Sequence, residues 1–347
     1  MVIVYASLNP FFGWRTPEVF ALFAWPKHIS AFDVAINVLA YIPFGALSAA
    51  IWRFGARRRL LSRPVPSYVN WQAWLVSVFI AACLSLALEF AQAWLPFRVS
   101  SPLDWLANTL GAMMGATVVL LPPGRVLLAN IEQWRHRHFA FGTETEWGLL
   151  LLALWFFAQL NPAIPFFEAG SVVSAGQFEE APHPYDPLFL LPQAVAIAFN
   201  MCGFALFLSL LLHPAKRVWA NALLVIAAGF FVKVSMAALM LKAPQLIAWM
   251  GPGTVIGLSS GALLFVVFSR RSFRWRAFLA TLLVFAGGLM AKISGVYGPA
   301  TETLRLFDWP HGQLVNFASL TRWVHEVWPL VALIFLAIVF IKHRTDP

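Results

Sequence analysis

Seven polar residues stand inside or at the edge of strongly apolar segments in the first third of this sequence: Asp33, Asn37, Glu89, Gln92, Arg98, Asp104 and Asn108. Asp33, Asn37 and Tyr41 recur every four residues, as do Asp104 and Asn108, which places each set on one face of a helix. Ser85, Glu89 and Gln92 form a third such row. Neighbouring carboxyl groups hinder each other's ionisation, which suits them to take and return protons. Glu89, Asp33 and Asp104 are therefore the candidate catalytic groups. Asn37, Tyr41, Gln92 and Asn108 would orient a sugar or headgroup through hydrogen bonds. Arg98 has the planar fork that binds a phosphate or carboxylate.

Each of these residues also has a structural reading. Ser30-Ala-Phe-Asp33 and Ser101-Pro-Leu-Asp104 both show the serine-to-acid spacing of a capping box, and Pro102 sits at a favourable first helical position. Both aspartates can thus serve helix starts. Arg98 can pair with Asp104 or Glu89. Glu89 stands well inside its apolar segment, where no capping role is expected, and a carboxyl group in such a place is costly and functional by default. Its structural alternative is a hydrogen bond to Asn37 or Asn108.

The elements that position these residues are membrane helices. Of the 347 residues, 60% are hydrophobic and 11% charged, against about 25% charged in soluble domains. Apolar runs near 29–52, 71–95, 104–122, 147–167, 188–212, 218–241, 245–268, 277–297 and 323–341 each approach the roughly 20 residues that cross a bilayer. The net charge of +9 does not point to nucleic acid, because 16 of the 24 Lys and Arg fall in five segments between or after these runs. These are Arg53 to Arg63, Arg125 to Arg137, Lys216 with Arg217, Arg270 to Arg276, and Lys342 with Arg344. Setting all five inside satisfies the positive-inside rule at every turn. The expected fold is an all-α polytopic bundle of about nine full spans, with a cytoplasmic C-terminus and the polar cluster toward the outer face. Val2 to Leu8 is apolar but too short to cross, and reads as an interfacial stub or the remainder of a longer helix. No cleavable signal pattern opens the sequence.

Short internal matches suggest a degenerate tandem duplication of a four-helix unit. NTLGAMMGATVVLL from Asn108 resembles TVIGLSSGALLFVV from Thr254, which aligns Gly111 and Gly115 with Gly257 and Gly261. Ala6-Ser7-Leu8-Asn9-Pro10 similarly matches Ala158-Gln159-Leu160-Asn161-Pro162, and Asn37 would answer to Asn200. Ala196 and Ala248 would stand where the first copy has Asp33 and Asp104, so only that copy keeps the polar site. The organisation expected is a site-bearing unit at 1–122, a cytoplasmic linker at 123–146, a second unit at 147–268, and two further helices with an outer loop at 277–347. The glycine pairs also have a plain reading as close helix packing.

Asp33-x3-Asn37-x3-Tyr41-Ile-Pro43-Phe-Gly45, Glu89-x2-Gln92, Pro96-Phe-Arg98 and Asp104-x3-Asn108-x2-Gly111-x3-Gly115 resemble the VanZ-like family over about residues 1–122. Tyr5-Ala-Ser-Leu-Asn-Pro-Phe is similar to that family's first helix. The resemblance implies a bacterial inner-membrane protein. The family's founding member is tied to resistance to teicoplanin, a glycopeptide acting on cell-wall precursors.

Elsewhere, Lys233 and Lys292 lie inside spans, as counter-charges to the acids or as snorkelling side chains. The segment 298–327 holds Glu302, Asp308, His311, His325 and Glu326 at spacings that match no standard metal site. Cys83 and Cys202 lie in separate apolar runs. No phosphate loop, dinucleotide fingerprint or nucleophile elbow occurs, so no cofactor or metal is expected. Three functions fit: an enzyme acting on an envelope lipid or lipid-linked glycan, a lipid or drug transporter, and a non-catalytic scaffold for envelope polysaccharide assembly. The partners expected are membrane lipids and a lipid-linked glycan or phospholipid headgroup.

Overall fold

The structure, a computed structural model, describes residues 2–8, 11, 13–16, 25, 31–59, 67–95, 100–161, 166–167, 187–213, 218–240, 250–297 and 312–343. The described residues form eleven helices. They are α1 (Val2–Leu8), α2 (Ala31–Arg59), α3 (Ser67–Gln92), α4 (Pro102–Leu120), α5 (Pro122–His138), α6 (Thr143–Gln159), α7 (Pro187–Leu211), α8 (Val218–Met240), α9 (Pro252–Phe268), α10 (Phe273–Tyr297) and α11 (Gly312–Lys342). Helices satisfy their backbone hydrogen bonds internally, which lipid demands.

Seven of the described helices contain stretches long and apolar enough to span a membrane: Val34–Ala56, Tyr68–Gln92, Pro102–Leu120, Leu190–Leu211, Val218–Ala238, Phe273–Ala291 and Leu320–Lys342. The chain is thus an all-α, multi-span membrane protein with seven candidate spans among the described residues. The nine-span expectation also counted α6 and α9. Each has only 17 helical residues, roughly 26 Å at 1.5 Å per residue against about 30 Å of hydrocarbon. α6 also opens with Glu144 and Glu146 in its first turn. The expected fourth and seventh spans included 162–165 and 245–249, outside the described residues.

The chain divides into two compact units, Met1–Arg135 and His136–Pro347. In the first, α2 and α4 run in the same direction with their backbones in contact. A Cβ added at Gly111 would strike the carbonyl oxygen of Val38, one at Gly115 that of Ile42, and one at Gly45 that of Ala112. Large apolar side chains of these helices, such as Leu39, Leu47, Leu110 and Met114, face outward. Small residues inside and large ones toward lipid is the usual economy of membrane bundles, where backbone approach replaces hydrophobic burial. α3 runs antiparallel to both. Trp105 Nε1 donates to the Ala82 carbonyl at 3.0 Å, Trp74 Nε1 to Thr117 Oγ1 at 2.9 Å, and Arg53 Nε to Asn70 Oδ1 at 3.1 Å.

In the second unit α7 is the central element, packed against α9 and α10. Phe204, Leu206, Phe207 and Leu208 of α7 are wholly buried. Trp155 stacks on Phe204 with ring centroids 4.2 Å apart. The indole of Trp328 donates to the Leu151 carbonyl at 2.7 Å, fastening α11 to α6. Glycines again set the closest approach: added Cβ atoms at Gly257 and Gly261 would press on Ala194 with Ile197 and on Ala198 with Met201. Matching the two units by these seats pairs Val38 with Ala194 and Ile42 with Ala198. On that matching Gln193 rather than Asn200 would answer to Asn37, Thr254 to Asn108, and Met250 rather than Ala248 to Asp104. Asn200 lies two turns further along, where its Nδ2 donates to the Phe167 carbonyl at 3.0 Å.

Two polar expectations resolve here. Lys233 does not snorkel: it is fully buried, and its Nζ donates to the Asn161 carbonyl just beyond α6, at 3.0 Å. A cation at a helix C-terminus is stabilised by the last carbonyls. The Asn161 amide in turn donates to Thr321 Oγ1 at 3.0 Å. His325 and Glu326 belong to α11 instead of a loop, and Glu326 pairs with Arg322 at 3.0 Å. Residues 298–311 and the Lys292 side chain lie outside the described residues.

Candidate functional site

Helical periodicity alone brings Ser77, Ala81, Ser85 and Glu89 of α3 onto one face, and all four are buried. This face meets α2 and α4. The Tyr41 ring packs with Ala81 and Ala112 in a small core that Ile3 of α1 also touches. One turn along α3, Asn108 Nδ2 donates to Ser85 Oγ at 2.9 Å. One turn further stands Glu89, 4% exposed. Gln92, at the end of the row, donates from Nε2 to the Ser7 carbonyl at 3.0 Å and so ties α1 to α3.

Glu89 does have a capping role, contrary to expectation, and it acts on the neighbouring helix. Its Oε2 accepts the backbone N–H of Ser101 at 2.8 Å. Ser101 is the N-cap of α4, in extended conformation (φ −137°, ψ 127°), and its own Oγ accepts from the Leu103 N–H at 3.2 Å. In a capping box the N-cap amide is taken by an acid three residues on. Here that amide donates to Glu89, reaching over from α3. A carboxylate at this position also faces the positive end of the α4 dipole. Asp104, in the first turn of α4, lies near enough to Glu89 for the two to interact electrostatically.

Several polar atoms of this corner are buried without a hydrogen-bond partner among the described residues: Asn37 Nδ2, Tyr41 Oη and Asn108 Oδ1, while Ser100 Oγ lies toward the Glu89 carboxyl. Tyr41 is 3% exposed and Asn108 7%. The Tyr41 hydroxyl lies toward Ser85 and Glu89 without reaching good hydrogen-bond geometry to either. Buried polar groups are nearly always paired, so a cluster of unpaired ones invites a guest.

The structure therefore brings Tyr41, Glu89 and Asn108 together, with Asn37 one turn from Tyr41 on α2 and Asp104 one turn from Asn108 on α4. Gln92 is committed to α1. Asp33 is placed on α2 by its backbone, its side chain lying outside the described residues, and Arg98 lies outside them altogether. Sequence reasoning passed over Ser100 and Arg15. Ser100 could have been noticed from the serine doublet before Pro102, since only one serine can be the cap. Arg15 is exposed, and its backbone N–H donates to the Trp94 carbonyl at 3.0 Å, beside the end of α3. No sequence signal locates it there. Among the described residues no three His, Cys, Asp or Glu side chains are grouped to hold a metal ion.

Residues 2–122 match the VanZ/LLP1 family model, which takes in α1 to α4 and the first residue of α5. No curated protein matches the chain, and no solved structure does. The protein is a polytopic membrane protein that carries a segment of the VanZ-like type over its first 122 residues.

Proposed function

We propose that the first unit is a recognition site, open toward the outer leaflet of a bacterial inner membrane, for the sugar part of a lipid-linked glycan or glycolipid. The observation that carries this reading is the pair of unpaired groups, Tyr41 Oη and Asn108 Oδ1, on side chains more than nine-tenths buried beside the Glu89 face. The corner offers donors (Asn37 Nδ2, Tyr41 Oη) and acceptors (Asn108 Oδ1, the Glu89 carboxyl) together. Sugar hydroxyls both donate and accept, so they can answer all of these. A phosphate only accepts, and it would be set against Glu89 and Asn108 Oδ1. A phosphate suits an arginine such as the exposed Arg15, whose backbone is held beside the end of α3. The orientation follows from placing the arginine-rich segments in the cytoplasm.

A second reading has Glu89 act as general acid or base on the bound glycan, with Asp104 biasing its protonation and Asp33 as the remaining acid. The proximity of Asp104 to Glu89 favours it. The VanZ-like resemblance adds a phenotype: altered teicoplanin sensitivity when the chain is removed or overproduced.

On this reading the chain is a degenerate duplication, of which the first copy carries the site. Support for the duplication is the shared seating of Gly111 with Gly115 and of Gly257 with Gly261, each pair on the helix two elements earlier. The second copy has Gln193, Thr254 and Met250 in place of Asn37, Asn108 and Asp104. It is the scaffold copy.

Tyr41→Phe separates binding from folding. Loss of a hydroxyl that has no partner should leave the melting temperature unchanged or slightly raised, because a buried unpaired polar atom costs about 1–3 kcal/mol. Binding of a polyprenyl-phosphate-linked sugar, followed by native mass spectrometry, should weaken about tenfold, as a lost hydrogen bond of about 1.4 kcal/mol predicts. Equal binding of the same polyprenyl phosphate with and without its sugar would sink the glycan reading.

A further inference from the structure

We infer that α5 lies in the plane of the cytoplasmic leaflet and binds anionic phospholipid headgroups there. The inference does not depend on what the Glu89 site recognises. It begins with the turn into the helix. Leu121 closes α4 in an extended conformation (φ −64°, ψ 154°), and Pro122 opens α5 immediately after. Proline is suited to a first helical position, and it forces the preceding residue out of helical geometry. Gly124 then packs so closely that a Cβ there would strike the Val118 carbonyl oxygen in the last turn of α4. α5 is thus held at the end of a membrane-crossing helix by a tight bend rather than by a slack linker.

One side of the helix carries an exposed apolar stripe. Val126, Leu127, Ile131 and Trp134 fall within one arc of the helix, and each is between 48% and 60% exposed. Arg125, Arg135 and His136 lie on the other side, Asn130, Arg137 and His138 fall within the stripe itself, and Glu132 is the sole acid of the helix. An apolar stripe with a basic remainder and a tryptophan is the pattern of a helix lying in the headgroup region. With the arginine-rich segments inside, this end of α4 meets the cytoplasmic leaflet, whose anionic lipids complement the charge. A protein partner would have to cover the same stripe within one residue of the bilayer, where lipid is already present.

The test uses the full-length chain in nanodiscs. Cys83 is exposed and is replaced by alanine; Cys202 is buried and stays. A Leu127→Cys substitution then carries a bimane probe, read against bromine-labelled acyl chains and against aqueous iodide. In phosphatidylcholine discs containing phosphatidylglycerol, the bromolipid should quench strongly and iodide weakly. Omitting phosphatidylglycerol, or changing Arg125, Arg135 and Arg137 together to Gln, should shift the probe toward iodide. Each arginine near an anionic surface is worth about fivefold in partitioning, so the three together amount to on the order of a hundredfold. Bromolipid quenching indifferent to both changes would overturn the anionic preference. A probe quenched by iodide in every lipid would overturn membrane contact. A probe shielded from both quenchers would mean that a second copy or another protein covers the stripe, which also overturns the inference.

Discussion

Gly115→Ala is expected to destabilise the first unit by roughly 3 kcal/mol, the upper end of the overpacking range. Most small-to-large changes press on side chains that can swing aside. At Gly115 the added methyl meets the Ile42 carbonyl oxygen and the Ala46 nitrogen, both backbone atoms of α2. Neither can move without the helix, so α2 and α4 would have to separate along their shared seam. The seam holds Tyr41 against α4, so ligand binding should fall along with stability. Gly288→Ala is the matching control. Nothing lies within 4 Å of a Cβ there, and replacing a helical glycine by alanine gains about 0.5–1 kcal/mol. Thermal unfolding of both purified variants in one detergent decides the matter. A Gly115→Ala protein that melts with the unaltered chain would show that the two backbones do not touch.

The second large effect separates two substitutions at one position. Glu89→Ala removes the acceptor of the Ser101 N–H and leaves that part-buried amide unanswered. The expected loss is about 2–3 kcal/mol, the range for a hydrogen bond to a charged group. Glu89→Gln keeps a carbonyl oxygen where Oε2 stood. It should retain most of that stability, losing about 1 kcal/mol as the charge facing the α4 dipole disappears. If Glu89 also moves protons, the Gln variant should bind the glycan and fail to process it. Ala and Gln variants that both melt with the unaltered protein would contradict the cap. A Gln variant as unstable as the Ala variant would mean that charge, rather than hydrogen bonding, holds α4 in place.

The helical, membrane-spanning nature of the chain was legible because lipid leaves few options, and long apolar runs between basic segments state it directly. The rows on α2, α3 and α4 were legible for a similar reason: a spacing of four residues fixes a face whatever surrounds it. What each face meets was not. The role of Glu89 depends on an amide in the next helix, and nothing local to Glu89 signals it. Lys233 was open between snorkelling and pairing until the Asn161 carbonyl, distant in sequence, came into view. α11 begins at Gly312, well before its apolar run, because its first turns carry polar residues that hydropathy counts as loop. An internal match such as that of Asn37 with Asn200 is hard to read from letters, since apolar helices resemble one another at many offsets.

The cap that Glu89 provides also bears on the order in which the protein is made. α4 receives the acceptor for its N-cap amide from a helix already synthesised, so the α3–α4 hairpin reaches the bilayer with that need met. α7 is in the opposite position. Trp155 of α6 is already there to stack on Phe204, but α9 and α10 leave the ribosome after α7 does, and until they arrive the surface they will cover faces lipid. The first unit can therefore settle during translation, while the second must wait for the end of its own chain.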